Sequence, residues 1–337
     1  MLDRHRRTDK NIFEALKYAS RQQKVLCNWG STLKQSSAVH IQALVSADGI
    51  LLGSSSKLRL LVINLASVPG RQLVNSPTAQ SLERYLLPIR KHQSNRQRMN
   101  LERHKKEISE NGFTVINDVF SSEQVIQIIS LIESSDTTNL TFRKSADLFA
   151  IRQFLKEIPT IQKLILVDKL RNIIAELFGQ NYFVTKSIYF DKPEQSNWFV
   201  AYHQDLTISV DRKLELENFR SWTVKQNQFS VQPPLDFLDD NFTIRIHLDD
   251  TDENNGALKV IPKSHLKGIY RPDTINWETE TESICSTFKG GIMIMRPLLL
   301  HSSSRTINNL KRRVIHIEFS DKELNNGLSW SERLNLN

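Results

Sequence analysis

Asn197-Trp198-Phe199-Val200-Ala201-Tyr202-His203-Gln204-Asp205-Leu206-Thr207 is the stretch on which the reading of this 337-residue chain turns. A His and an Asp two positions apart can hold one metal ion together if the backbone bends to let them converge. His301, from a distant segment, can complete a face of three ligands. Two neutral imidazoles and one carboxylate leave the opposite face of an octahedral ion open, a donor set suited to non-heme Fe(II) and oxygen chemistry. Arg312, further along the chain, can pin a carboxylate with two parallel hydrogen bonds.

His-x-Asp alone is a weak signal, and the chain contains a second copy, His247-Leu248-Asp249. On a strand, Ile244, Ile246 and Leu248 share one face while Thr243, Arg245, His247 and Asp249 share the other. Periodicity therefore does not exclude the rival pair. Arg245 has two readings: a partner for Asp249 on the same face, or a cavity cation meeting an acidic substrate or co-substrate.

Upstream of this region the patterns are helical. The segment 101–111 predicts a helix stopped by Gly112, and Phe113–Ile116 a strand. Ser121 with Gln124 three residues later marks a helix start, followed by Val125, Ile128, Ile129 and Ile132 at helical spacing. Pro159 opens a helix running through Ile161, Leu164, Ile165 and Leu170 to Phe178-Gly179. From Tyr182 the period switches to two. Short strands are expected at 183–190, 198–202, 243–248, 257–261, 292–295 and 314–319. Helices followed by many short strands indicate an α+β protein with a jelly-roll, cupin-like core and flanking N-terminal helices.

The motifs agree with one family. Tyr189-Phe190-Asp191-Lys192-Pro193, the stretch around His203-Gln204-Asp205, and Asn255-Gly256-Ala257-Leu258 leading through Val260-Ile261-Pro262 to Ser264-His265 resemble the phytanoyl-CoA dioxygenase family. Gly290-Gly291, Arg296-Pro297-Leu298, His301 and Arg312-Arg313-Val314 extend the resemblance, which covers about residues 99–335. Lys263 stands where the family usually has Gly.

The resemblance implies a double-stranded β-helix and an Fe(II)/2-oxoglutarate-dependent dioxygenase. His203, Asp205 and His301 would hold the iron. Arg312 and Ser303 would hold the far carboxylate of 2-oxoglutarate, with Ile188, Arg245 and Arg152 beside the co-substrate. Strand parity supports Arg312, which shares a mixed face with Val314, His316 and Glu318. Arg313 lies with Ile315, Ile317 and Phe319 on an apolar face. Related halogenases carry Ala or Gly in place of the carboxylate, so Asp205 implies hydroxylation of an unactivated C–H, with O₂ consumed and succinate and CO₂ released. The alternatives are a non-catalytic jelly-roll binding protein and a non-redox metal cupin enzyme. No CoA-binding signature accompanies the motifs. The partner is a small organic or lipid-like molecule, and nothing in the sequence fixes the oligomeric state.

The charge is uneven. Residues 1–98 hold 16 Lys/Arg against 5 Asp/Glu and only four aromatics, whereas residues 99–337 hold 29 Lys/Arg against 32 Asp/Glu. The first segment reads as a basic, disordered or loosely folded extension, with Met99 as an alternative start and a targeting segment as another reading. The remainder is the oxygenase-like domain. Its slightly acidic balance gives no reason to expect nucleic acid. No stretch is long and apolar enough to expect a membrane span. Cys27 and Cys285 are too few for a disulfide framework, which suggests free thiols and a cytoplasmic setting.

Overall fold

The computed structural model describes residues 101–135, 142–144, 149–194, 199–225, 228–324 and 327–336. The expectations for residues 1–98 lie outside them. A helix, α1, occupies 101–111 and stops at Gly112, whose φ is +85°. A Cβ there would come within 2.5 Å of the His265 ring, so glycine serves both the turn and the close approach. After strand β1 (Phe113–Ile116), helix α2 (Ser122–Glu133) starts on a full capping box: Ser121 Oγ accepts from Gln124 N, and Gln124 Oε1 accepts from Ser121 N. Val125, Ile128 and Ile132 form its buried stripe.

The single helix expected from Pro159 is instead three pieces. A 3₁₀ turn (Pro159–Ile161) leads into α4 (Gln162–Ile165), which follows α3 (Phe154–Glu157) in the chain; α5 (Asp168–Phe178) comes after an extended Val167. The break lets Leu166 and Ile165 both point into the core, and Arg171 Nε caps the freed Leu166 carbonyl at 2.8 Å. Apolar periodicity carried through the break because both pieces bury the same side.

The strands expected from the period of two all appear, with shifted ends. β2 (Phe142–Lys144) and β3 (Phe149–Arg152) precede β4 (Phe183–Lys192), β5 (Val200–His203) and β6 (Ile208–Val210). Then come β7 (Arg220–Lys225), β8 (Gln228–Gln232), β9 (Phe242–His247), β10 (Leu258–Val260) and β11 (Ser283–Ile284). β12 (Ile292–Met295), β13 (His301–Ser303), β14 (Arg312–Ser320) and β15 (Leu334–Asn335) complete the series. The major sheet has the order β1-β12-β9-β14-β4-β3-β2, with β15 also on β4; the minor sheet is β11-β10-β13-β5. Among the described residues every pairing between these strands is antiparallel, the arrangement of a double-stranded β-helix.

Alternation gives the major sheet two different faces. Ile244, Ile246, Ile292, Ile294, Ile315, Ile317, Phe319 and Tyr189 pack outward against the helices in the main core. Thr243, Arg245, His247, Arg312, His316 and Glu318 lie on the opposite face, with Lys186, Ile188 and Lys192 of β4 paired beside them. This face is polar yet buried, so its groups require partners of their own. Among the described residues no helix is long and apolar enough to cross a membrane. Cys285 is a buried free thiol, pushed up to about 12 by burial.

Candidate active site

His203 ends β5 and His301 opens β13. The strands pair with these residues directly opposite, and the ring centroids lie 4.3 Å apart. Beyond His203 the chain bends. Asp205 N donates to the Pro297 carbonyl at 2.9 Å. Between them Gln204 locks the bend: its Nε2 donates to the Gly268 and Leu298 carbonyls at 2.8 and 2.6 Å, and its Oε1 accepts from Tyr270 N at 2.8 Å. The bend returns Asp205 to the two rings, with Oδ1 3.8 Å from His203 Nε2 and Oδ2 3.9 Å from His301 Nε2. Ser264 steadies the other side, since its Oγ accepts from Leu300 N at 2.8 Å and donates to the Ile261 carbonyl at 2.7 Å.

Each His ring is oriented from behind. His203 Nδ1 lies 2.9 Å from the Ala201 carbonyl, and His301 Nδ1 2.9 Å from the Leu299 carbonyl. A carbonyl only accepts, so Nδ1 carries the proton and each Nε2 presents a lone pair. Burial pushes His301 down to about 4, which keeps it neutral at pH 7. Burial alone would raise the Asp205 carboxyl, but His301, His316, Lys186 and His203 around it hold it below the usual carboxylate range. Its Oδ2 is buried without a hydrogen-bond partner. Three acceptors thus converge with separations too long for hydrogen bonds between them. A cation at their centre resolves that conflict, so the donor set fits a divalent metal such as Fe(II).

At the start of β14 in the major sheet, Arg312 Nη1 donates to the Gly256 carbonyl and to Ser303 Oγ, the latter at 3.2 Å. Ser303 Oγ also donates to the Gly256 carbonyl at 3.1 Å. Gly256 has φ +84°, and a Cβ would lie 2.7 Å from the Ser304 carbonyl, so the Asn-Gly pair supplies a backbone acceptor where a side chain would not fit. Arg312 Nε and Arg245 Nε are both buried without a partner. Burial lowers Arg312 to about 9, with the Arg245 charge adding to the effect. Burial lowers Arg245 to about 10, opposed by Asp205. Among the described residues neither guanidinium has a carboxylate within ion-pair distance. Two buried cations with unspent N–H donors fit a dicarboxylate such as 2-oxoglutarate.

The other expected residues fall nearby. Ile188 is paired with His316 on one side and Arg152 on the other, so all three share one row of the inner face. His316 joins two charged groups that the sequence reading did not connect. Arg245 Nη1 donates to His316 Nδ1 at 3.2 Å, which leaves Nε2 to donate to Glu318 Oε1 at 3.1 Å; Lys186 Nζ reaches the same oxygen at 2.6 Å. Asp205, His316 and Glu318 also bring ligand atoms within 4.8 Å of one another. Both His316 nitrogens are already used, so that trio offers no imidazole lone pair. Gln204 and Gly256 carry no chemical signature of their own. Their roles follow only from the contacts.

Arg245 does not pair with Asp249. β9 ends at His247, the chain bends, and Asp249 leaves the shared face. Its carboxylate takes Arg313 N, Nε and Nη2 at 2.9, 3.0 and 2.7 Å. His247 Nδ1 contacts Thr251 Oγ1 at 2.8 Å. The rival His and Asp are thereby directed to different partners.

A jelly-roll core with a His-x-Asp…His constellation beside buried arginines defines a metal-dependent oxygenase fold. The chain matches the family model described as phytanoyl-CoA dioxygenase over residues 108–314, more than half its length, and belongs to that family. The family is Fe(II)- and 2-oxoglutarate-dependent; this chain is an oxygenase-type enzyme with those cofactors. Among solved structures, apo EctD from S. alaskensis shares 16% identity with a TM-score of 0.52, covering 66% of this chain and 78% of that one. The non-heme alpha-ketoglutarate-dependent epimerase SnoN from nogalamycin biosynthesis shares 15% identity with a TM-score of 0.49, covering 66% and 84%. HygX from Streptomyces hygroscopicus, with nickel and 2-oxoglutarate bound, shares 16% identity with a TM-score of 0.46, covering 65% and 86%. At these identities the EctD likeness speaks for the fold. No curated protein matches the chain in sequence.

Proposed function

We propose that the enzyme hydroxylates an unactivated C–H bond of a small organic or lipid-like substrate, with release of succinate and CO₂. The observation that carries this reading is the convergence of His203 Nε2, His301 Nε2 and the unpartnered Asp205 Oδ2, with both Nδ1 protons committed to backbone carbonyls.

His203, Asp205 and His301 would hold the iron. Iron and 2-oxoglutarate together supply activation of O₂ and the oxidising power for the C–H bond. Arg312 and Ser303 would hold the distal carboxylate, with Arg245, Ile188 and Arg152 lining the same wall. Arg245 also fixes the His316 tautomer, so His316 is neutral and hands its Nε2 proton to Glu318 as a hydrogen bond. The Asp205 carboxylate would serve as the third protein ligand, a place an exogenous anion could otherwise take, and this favours the hydroxylation reading.

Anaerobic titration with Fe(II) and 2-oxoglutarate tests the reading. The expected result is a weak visible charge-transfer band that decays when air and substrate are admitted, with succinate formed. Tight metal binding without the band would favour a non-redox metal enzyme. No metal binding at all would favour a binding protein.

A further inference from the structure

Lys192, at the end of β4, is fully buried and stands opposite Arg312 in the β4–β14 register. Its Nζ donates to the Ser304 carbonyl at 2.6 Å. Among the described residues no carboxylate lies within ion-pair distance of it. An ammonium carries three N–H donors, and among the described residues this one has a single acceptor. A Cβ on Gly256 would approach Lys192 Nζ to 3.0 Å and Ser303 Oγ to 3.4 Å. Ammonium, hydroxyl and the carbonyl to which Arg312 donates therefore meet around Gly256. Burial, with the Arg312 charge adding to it, pushes Lys192 down to about 7. Two adjacent buried cations without a counter-charge disfavour the protein as it stands; an anion between them removes the conflict. Pinning one backbone carbonyl does not require a buried charge, since a neutral donor would do the same.

We propose that Lys192 is a third donor to the distal carboxylate of 2-oxoglutarate, acting beside Arg312 and Ser303. This rests on the co-substrate reading above. The chemistry needed is a carboxylate whose lone pairs accept from the planar Arg312 fork on one side and from the ammonium on the other.

The test is anaerobic calorimetry on the full-length, Fe(II)-loaded protein with two ligands: 2-oxoglutarate, and 2-oxovalerate, which has a methyl group in place of the distal carboxylate. Lys192→Met is expected to weaken 2-oxoglutarate binding at least tenfold and to leave 2-oxovalerate binding within about twofold. Lys192→Gln, which can still donate to the Ser304 carbonyl, should lose 2-oxoglutarate affinity in the same selective way. It is the variant to use if the methionine form does not fold. Equal losses for both ligands, or unchanged affinities with only a lower melting temperature, would make Lys192 a strut for Ser304 and overturn the proposal. Wild-type protein that binds 2-oxovalerate as tightly as 2-oxoglutarate would overturn it too. If the wild type binds neither, the co-substrate reading itself fails.

Discussion

Asp249 is bound by Arg313 through three hydrogen bonds, two of them a side-by-side pair from the guanidinium, and this sets it apart from His247. Arg313 also lies 3.5 Å from Glu133 at the end of α2, so the pair ties the sheet to the helical layer.

Asp205→Ala is expected to abolish the proposed hydroxylation and to weaken Fe(II) binding by orders of magnitude, because it removes the carboxylate of the proposed His203–Asp205–His301 ligand set. Asp249→Ala is expected to keep iron affinity and to lower stability by about 1–3 kcal/mol, since it strands a partly buried guanidinium. Iron titration and thermal melts of the two variants separate these outcomes. Iron affinity lost in the Asp249 variant alone would reverse the choice of pair.

Arg312→Ala should raise the 2-oxoglutarate requirement at least tenfold with little change in iron affinity, as a charge-assisted clamp contributes about 1.5–3 kcal/mol. Arg312→Lys should recover only part of it, because an ammonium does not reproduce the planar fork. Arg313→Ala should act on the melting temperature and not on the co-substrate. A co-substrate defect confined to Arg313→Ala would shift the inward face of β14 by one residue.

Glu332 gives a pH prediction. Its carboxylate accepts from Ser187 N at 3.0 Å and Ser187 Oγ at 2.5 Å, and burial raises it from 4.5 to about 7. The folded state then holds a proton that the unfolded chain releases, so stability is full below about 4.5 and declines as pH rises to about 7. Glu332→Gln keeps the neutral hydrogen-bonding shape and should flatten this dependence. The variant should be more stable than the wild type at pH 8, by an amount on the order of 1–3 kcal/mol, and approach it at pH 5, as denaturant unfolding at the two pH values reads out. An equal difference at both pH values would show that the carboxyl does not titrate in this window.

Gly256→Ala should cost about 1–3 kcal/mol, because alanine is strained at φ +84° and its Cβ would crowd the Ser304 carbonyl. Since that loop supplies the acceptor for Arg312 and Ser303, 2-oxoglutarate affinity should fall along with the melting temperature. Unchanged affinity in a folded variant would show that the Gly256 carbonyl does not organise the clamp.

The sequence by itself determined the class of fold and the residue types of the candidate site. The Ser121–Gln124 capping box and the Gly112 stop are local signals satisfied by contacts within a few residues, and the switch from helical period to a period of two is carried by the alternation of the chain itself. The His-x-Asp spacing and the parity of β14, which turns Arg312 inward and Arg313 outward, are also properties of the chain. The tertiary structure decided what depends on the end of a strand or on groups far apart in sequence. The bend after His247 removed Asp249 from the face that strict alternation gave it, and the break at Leu166 divided a continuous apolar stripe into separate helices. Gln204 became a lock because Gly268, Tyr270 and Leu298 surround it, and Lys192 became a buried cation because β4 pairs with β14 at Arg312. Periodicity records which side of an element is apolar. Burial of a charge, and the partner that offsets it, are set by neighbours that only the packed sheets bring together.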